Sequence, residues 1–129
     1  RTAAAEALGW LARGNLDAIT ELGLTLSEDP DVAVRQAAAT SLGLIVADNT
    51  SGEEVDAALG ALLDAMGDEE GDVRTAVVMA LGRAGAVSDD GLRGRLAGAI
   101  RDAEQDDHYW VREAAAAARK TLPAMETSA

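Results

Sequence analysis

The chain has 129 residues, of which 23 are acidic and 11 are basic, so its formal net charge is −12. This charge opposes a general affinity for nucleic acid, which needs Lys and Arg to displace counterions from phosphates. The absence of Cys excludes disulfides and thiolate metal sites. No apolar run approaches the roughly 20 residues of a membrane span, and no signal peptide is visible. We therefore expect a cytoplasmic protein with no nucleic-acid or membrane partner.

The composition is also strongly biased. There are 29 alanines, no Phe, and ten Arg but only one Lys. An acid-rich and Lys-poor composition is typical of proteins from salt-loving organisms, in which concentrated salt screens the repulsion among acidic groups. We predict a halophilic protein of haloarchaeal origin, with an ordinary acidic cytosolic protein as the alternative.

Apolar residues recur along the chain at the three- and four-residue spacing of helices. Start signals support this pattern, because Asp29-Pro30 predicts an N-cap followed by proline and residues 51–54 form a capping box. Asn15 and Ser88 are further N-cap candidates. No segment has the alternating pattern of a strand. The predicted helices cover about 1–13, 15–27, 30–47, 52–66, 71–86, 89–104 and 107–121.

Four of these helices share a frame that begins at an arginine, namely Arg1, Arg35, Arg74 and Arg112. The spacings between the arginines are 34, 39 and 38 residues. In the first three segments a Leu follows seven residues after the Arg and a Gly one residue later, at Gly9, Gly43 and Gly82. A glycine inside a helix costs roughly 1 kcal/mol of propensity. Its recurrence at one position therefore predicts close contact between helices there.

Residues 29–43 (Asp-Pro-Asp-Val-Ala-Val-Arg-Gln-Ala-Ala-Ala-Thr-Ser-Leu-Gly) resemble the HEAT-like repeat of the phycobilisome-lyase type. The resemblance covers nearly the whole chain and implies one all-α domain, a right-handed α-solenoid of about three and a half helix-pair repeats. The expected repeats span about 1–28, 29–66, 67–104 and 105–122, followed by a tail at 123–129. Because the chain opens on Arg1 rather than Met, we expect it to be a fragment of a longer protein. Arg119-Lys120 replaces Leu-Gly in the fourth repeat, as the polar end of a solenoid requires.

The repeated arginines have two interpretations. They form an anion-binding row, or each one binds an acidic turn of the neighbouring repeat through its forked guanidinium. We favour the second interpretation, a ladder of ion pairs, because acidic residues precede the arginines at Asp29, Asp31, Asp72 and Asp107.

Metal binding has two candidates in the sequence. The acidic turn at residues 67–72 lacks the alternating ligands and closing Glu of a calcium loop, so we interpret it as a solvated turn. His108 is the only His, and without Cys a metal site or a nucleophile–base pair built on it is disfavoured. We expect no metal and no cofactor, and a surface position for His108 at a helix start.

Two of the three aromatic residues, Tyr109 and Trp110, stand side by side at the start of the last helix. One hypothesis is a contact with a partner or with the next part of the parent chain, because Trp and Tyr anchor protein interfaces. The other is that they fold over the exposed end of the core. Trp10 is predicted to pack near the N-terminal end of the stack.

Charge is unevenly distributed along the chain. Residues 14–73 carry fourteen acids and one Arg, whereas residues 74–101 carry five Arg and two acids. The resemblance implies that the second helix of each pair lines a concave face, which here grades from acidic to basic and suits the orientation of a peptide or partner domain. The alternative is that the gradient has no function and only reflects charged residues on solvent-exposed helix faces. The residues concerned are Asp17, Glu21, Glu53, Asp56, Arg93 and Arg101.

The predicted function is a protein–protein interaction scaffold that binds another protein, a peptide or further domains of the parent chain on its concave helical surface. The resemblance also implies an alternative, a subunit or domain of a chromophore lyase-type enzyme. We disfavour the enzyme because the sequence offers no nucleophile or general-base constellation. A third class is nucleic-acid binding, as in HEAT-like DNA glycosylases. It needs a basic groove, but two of the three helices expected to line the concave face are acidic.

Overall fold

A computed structural model of the chain describes residues 2–3, 16–48, 52–84 and 90–121. Within these ranges the main elements are six α-helices and one 3-10 turn at Ala65–Gly67, and no strand occurs. We label the helices α1 (Leu16–Glu28), α2 (Val32–Asp48), α3 (Gly52–Asp64), α4 (Gly71–Leu81), α5 (Asp90–Ala103) and α6 (Tyr109–Thr121). Predictions that lie outside the described residues concern Arg1, Gly9, Trp10, Asn15, Ser51, Ser88 and the tail at 123–129.

The six helices form two layers. Helix α2 packs against α4 and α4 against α6, while α1 packs against α3 and α3 against α5. Arg35, Arg74 and Arg112 lie on α2, α4 and α6, so we call these three helices the arginine layer, and α1, α3 and α5 the opposite layer. Successive helices alternate between the layers, and each contacts mainly its neighbours, as in a solenoid. The predicted all-α solenoid is confirmed.

The core lies between the two layers and is built from apolar residues at helical spacing. Val34, Leu42 and Ile45 are buried on α2, and Val73 and Val77 are buried on α4, which agrees with the three- and four-residue spacing of apolar residues in the sequence. Each such side chain contributes about 1.5–3 kcal/mol when it is removed from water. The large side chains with almost no exposure are Ile19, Leu22, Leu26, Leu42, Ile45, Leu59, Leu62, Leu81 and Leu96.

Two helix ends differ from the prediction. Helix α2 begins at Val32 because Asp31, rather than Asp29, caps it: Asp31 Oδ1 accepts the Ala33 N–H at 2.8 Å. Asp29 Oδ1 instead accepts the Asp31 N–H at 2.9 Å, within the turn that precedes the helix. Pro30 therefore lies in this turn and is not the first helical residue. Helix α4 ends at Leu81 instead of residue 86, and Gly82 is its C-cap.

The arginine layer is held by close backbone approach at two glycines. A Cβ on Gly43 would lie 2.7 Å from Ala80 Cβ and 2.9 Å from Ala80 Cα. A Cβ on Gly82 would lie 3.1 Å from Ala118 Cβ. The prediction that Gly43 and Gly82 mark close contacts between helices is confirmed, although Gly82 stands at a helix end rather than within a helix.

Candidate functional site

The arginine layer is joined along one edge by a ladder of ion pairs. Arg35 Nε donates to Asp68 Oδ2 at 2.9 Å and its Nη2 donates to Asp68 Oδ1 at 3.3 Å. Arg74 repeats this arrangement on Asp106, at 2.9 and 3.0 Å. In both cases the guanidinium of one repeat binds both oxygens of a carboxylate in the next, which is the strongest geometry for such a pair.

The third nitrogen of each arginine fixes the turn of its own repeat. Arg35 Nη1 donates to the Asp29 carbonyl at 2.9 Å, and Arg74 Nη1 donates to the Asp68 carbonyl at 2.8 Å. Each ladder aspartate also caps its own turn, because Asp68 Oδ1 accepts the Glu70 N–H and Asp106 Oδ1 accepts the His108 N–H. One aspartate therefore connects two repeats.

The ladder changes the acid–base properties of its members. The hydrogen bond from Arg74 lowers the pKa of Asp106, with a smaller lowering from the His108 N–H. The hydrogen bonds to Asp68 and Asp106 raise the pKa of Arg35 and Arg74 respectively. Arg35, Arg74 and Asp106 therefore remain charged over the neutral pH range.

The predicted ladder is confirmed for Arg35 and Arg74, but its acids differ from the expected ones. Asp72 is not the acceptor, and the exposed Asp107 lies 3.6 Å from Arg74 Nη2 as a secondary contact. The partners are Asp68 and Asp106. The sequence contains a signal for them, because an Asp stands six residues before the arginine in the second, third and fourth repeats.

One prediction about this region is wrong. The acidic turn at 67–72 is not fully solvated, because the Asp68 side chain is only 10% exposed and is bound by Arg35. His108 stands directly before the start of α6, as expected, and its side chain is 34% exposed. One side of its ring packs on Gly71, and its Nε2 is 3.9 Å from Asp72 Oδ1. Within the described ranges no cluster of three or more His, Cys, Asp or Glu could hold a metal ion. The described helices include none that is long and apolar enough to span a membrane.

A groove of about 400 Å³ runs between α4 and α6, and we call it the α4–α6 groove. Its floor is made of small residues, and its rim carries two long apolar side chains, Met79 and Trp110. These two residues are 54% and 61% exposed, and because both line the same groove, exposed apolar surface is concentrated there. The residues that line the groove are Thr75, Met79, Gly82, Arg83, Trp110, Glu113, Ala114, Ala117 and Ala118.

Tyr109 and Trp110 form an edge-to-face pair beside this groove. Their ring centroids are 5.0 Å apart and their planes meet at 75°. The Tyr109 hydroxyl donates to Glu113 Oε1 at 3.1 Å, and this bond raises the pKa of Tyr109. Tyr109 is 53% exposed. Neither ring is buried against the core, so both leave apolar surface exposed.

The charged residues predicted for the concave face all lie on the opposite layer. Asp17 and Glu21 are on α1, Glu53 and Asp56 on α3, and Arg93 and Arg101 on α5. Arg93 forms an ion pair with Asp90 one turn earlier, and Arg95 binds Asp64 Oδ1 on α3 at 3.2 Å. Asp56 is partly buried, whereas Asp17, Glu21, Glu53 and Arg101 are exposed. The charge gradient is therefore present but is partly satisfied within the chain.

Alternating helices in two layers, joined by an arginine–aspartate ladder, define an α-solenoid repeat protein. A family model described as HEAT repeats matches residues 22–118, which is 97 of the 129 residues. The chain belongs to the HEAT repeat family. No curated protein matches the chain.

Proposed function

We propose that the chain is a protein–protein interaction module whose main binding surface is the α4–α6 groove. The observation that supports this most directly is the exposure of Met79 and Trp110 above a floor of Gly82, Ala114 and Ala118. Covering a side chain of this size contributes about 1.5–3 kcal/mol. A Trp beside a concave apolar surface is also the residue type that most often dominates the binding energy of an interface.

The shape of the groove favours an elongated partner. Its walls are two neighbouring helices, and its volume of about 400 Å³ accommodates a few apolar side chains. A partner helix with apolar residues at three- and four-residue spacing fits such a groove. Arg83 and Glu113 on the lining offer one charge of each sign to orient it. The proposal includes no catalytic activity.

The charged row on the opposite layer is a second candidate surface. Arg101 is exposed and has no carboxylate partner in the described ranges, so it is available to an acidic partner. Such a row accelerates association more than it holds a complex together. We rank it below the groove because Arg93 and Arg95 already bind acids of the same layer.

Three double variants distinguish these surfaces. Met79→Ala with Trp110→Ala removes the groove rim, and Arg93→Glu with Arg101→Glu reverses the charged row. Leu24→Ala with Leu44→Ala is the control, because both leucines are exposed apolar residues away from the groove. Circular dichroism and thermal melting establish that each variant is folded. Partners are captured on the wild-type chain from an extract of the source cells in molar KCl, identified, and titrated against each variant.

We expect the groove variant to weaken binding by about tenfold or more, and the leucine control to change it by less than about twofold. Equal affinities for the wild type and the groove variant would contradict the proposed site. Loss of binding only in the charge-reversal variant would move the site to the opposite layer. If no partner is retained at any salt concentration, the interaction function itself is wrong.

A further inference from the structure

The ladder contains an internal template for recognising an aspartate. Arg35 and Arg74 hold the same pose, with Nη1 on a backbone carbonyl of their own turn and with Nε and Nη2 on a carboxylate of the next. In both cases that carboxylate belongs to a turn at a helix start, and it also accepts the N–H two residues later. The acceptor of an arginine in this pose is thus a specific structure, an aspartate turn that precedes a helix.

Arg112 holds this pose as well. Its Nη1 donates to the Asp106 carbonyl at 2.8 Å, which matches the distances for Arg35 and Arg74. Within the described part of the chain its Nε and Nη2 have no carboxylate partner. The side chain is partly exposed, and its Cζ lies 5.9 Å from the centre of the Tyr109 ring. The guanidinium is therefore oriented for a carboxylate before any partner arrives, so less entropy is lost on binding.

Tyr109 corresponds to Gly71, because each stands three residues before the arginine of its repeat. At the internal junction, the ring of His108 from the next turn packs on Gly71. Tyr109 therefore occupies the position that contacts the next turn. Tyr109 is held by its bond to Glu113 and leaves half of its surface exposed. We call Tyr109 and Arg112 the end face.

We propose that the end face binds an aspartate turn at the start of a helix in a partner protein. Arg112 takes the carboxylate through Nε and Nη2, and Tyr109 packs against the residues that follow the aspartate. Because Arg112 is a cation, the partner group that it binds is anionic, even though the chain as a whole has a net charge of −12. The end face adjoins the α4–α6 groove, because Tyr109 contacts Trp110 and Glu113. Arg112 does not line the groove, so the proposal goes beyond the function proposed above.

A peptide with the sequence of residues 27–43 tests this proposal, because it contains the turn of Asp29 in the same pattern. The peptide is titrated into the chain in about 0.5 M KCl, where the Debye length is only a few ångströms and general repulsion is screened. The readout is the side-chain Nε–H signal of Arg112 in NMR spectra, with the signals of Arg35 and Arg74 as internal references. The matched peptides carry Asp29→Asn or Glu28→Gln and therefore have equal net charge. The matched chain variants are Arg112→Lys and Arg101→Lys.

We expect the Arg112 signal to shift on addition of the peptide while the Arg35 and Arg74 signals stay in place. Asp29→Asn in the peptide and Arg112→Lys in the chain should each weaken binding by about tenfold, and the two controls by less than about twofold. Binding that ignores both Asp29 and Arg112 would overturn the inference and leave the groove proposal intact. An unchanged Arg112 signal at several millimolar peptide overturns it as well. Self-association that Arg112→Lys abolishes would assign the end face to a second copy of the chain instead.

Discussion

The two layers of the solenoid are held together in different ways. In the arginine layer, helices approach closely at Gly43 and Gly82, and nearly buried ion pairs join the turns. In the opposite layer, the ion pair between α3 and α5 is that of Arg95 with Asp64, whose side chains are both largely exposed. Gly60 on α3 has no atom within 4 Å of the position of its missing Cβ, although a Cβ on Gly23 of α1 would lie 3.2 Å from Ala61 Cβ. The layers therefore differ most clearly in their ion pairs, whereas the role of a glycine depends on the individual position.

This difference shows why counting ion pairs or glycines in a repeat protein is a poor guide to stability. An exposed pair contributes about 0–1 kcal/mol, whereas removing one partner of a buried pair leaves an uncompensated charge. A glycine at a close contact is required by sterics, whereas a glycine facing open space only weakens the helix. Four experiments test how far the two layers differ.

The largest expected effect is in the ladder. Asp68→Ala leaves Arg35 nearly buried without its carboxylate and should lower the free energy of unfolding by about 3 kcal/mol. Asp64→Ala, which removes the partner of Arg95, should change it by less than about 1 kcal/mol. Urea unfolding of the two variants measures both values. Equal losses would show that the layers do not differ in their electrostatics.

A smaller effect is expected at the glycines. Gly43→Leu should destabilise by about 1–3 kcal/mol through overpacking against Ala80, and Gly82→Leu by an amount near the lower end of that range. Gly60→Ala should instead stabilise by up to about 1 kcal/mol, because the added methyl group meets open space and favours the helix. Thermal melting checks all three. A gain in stability at Gly43 would contradict the close approach of α2 and α4.

The salt dependence of stability should also differ between the two layers. The midpoint of thermal unfolding should rise between low and molar KCl, by about 1 kcal/mol in stability, because screening relieves the repulsion of a net charge of −12. Double-mutant cycles should show that the coupling of Arg35 with Asp68 persists in molar KCl while that of Arg95 with Asp64 disappears. A midpoint that is flat or falls with salt would refute the halophilic character predicted from the composition.

The smallest expected effect is in the pH dependence. The pKa of Asp106 in the folded chain lies below its unfolded value of about 4, so its stabilising effect is present above that value. It is lost as the pH falls through the lowered pKa of the folded state. Asp106→Asn should therefore flatten the fall in stability below about pH 4. Urea unfolding at a series of pH values measures the slopes, and equal slopes for the wild type and Asp106→Asn would contradict the ladder as its source.

The parts of this molecule that the sequence predicts well depend on local periodicity. The order and faces of the described helices follow from apolar spacing, and the glycine contacts follow from recurrence at Gly43 and Gly82. The choice of Asp68 over its acidic neighbours does not follow, because it depends on which carboxylate the turn directs at Arg35. The α4–α6 groove was also not predicted, since it requires the relative positions of Met79 and Trp110 on two helices. Local patterns predict the elements, whereas a site formed between elements depends on their packing.

The contact between Gly71 and His108 limits how this array can be rearranged. Residue 71 corresponds to Val32 in the preceding repeat and to Tyr109 in the following one, counted from the ladder arginines. Either of those side chains would collide with the imidazole, because even a methyl group at Gly71 overlaps it. The repeats are thus not interchangeable at this junction, because Val32 or Tyr109 in place of Gly71 would force the imidazole to move. A consensus protein made by averaging the repeats would lose the pairing of Gly71 with His108.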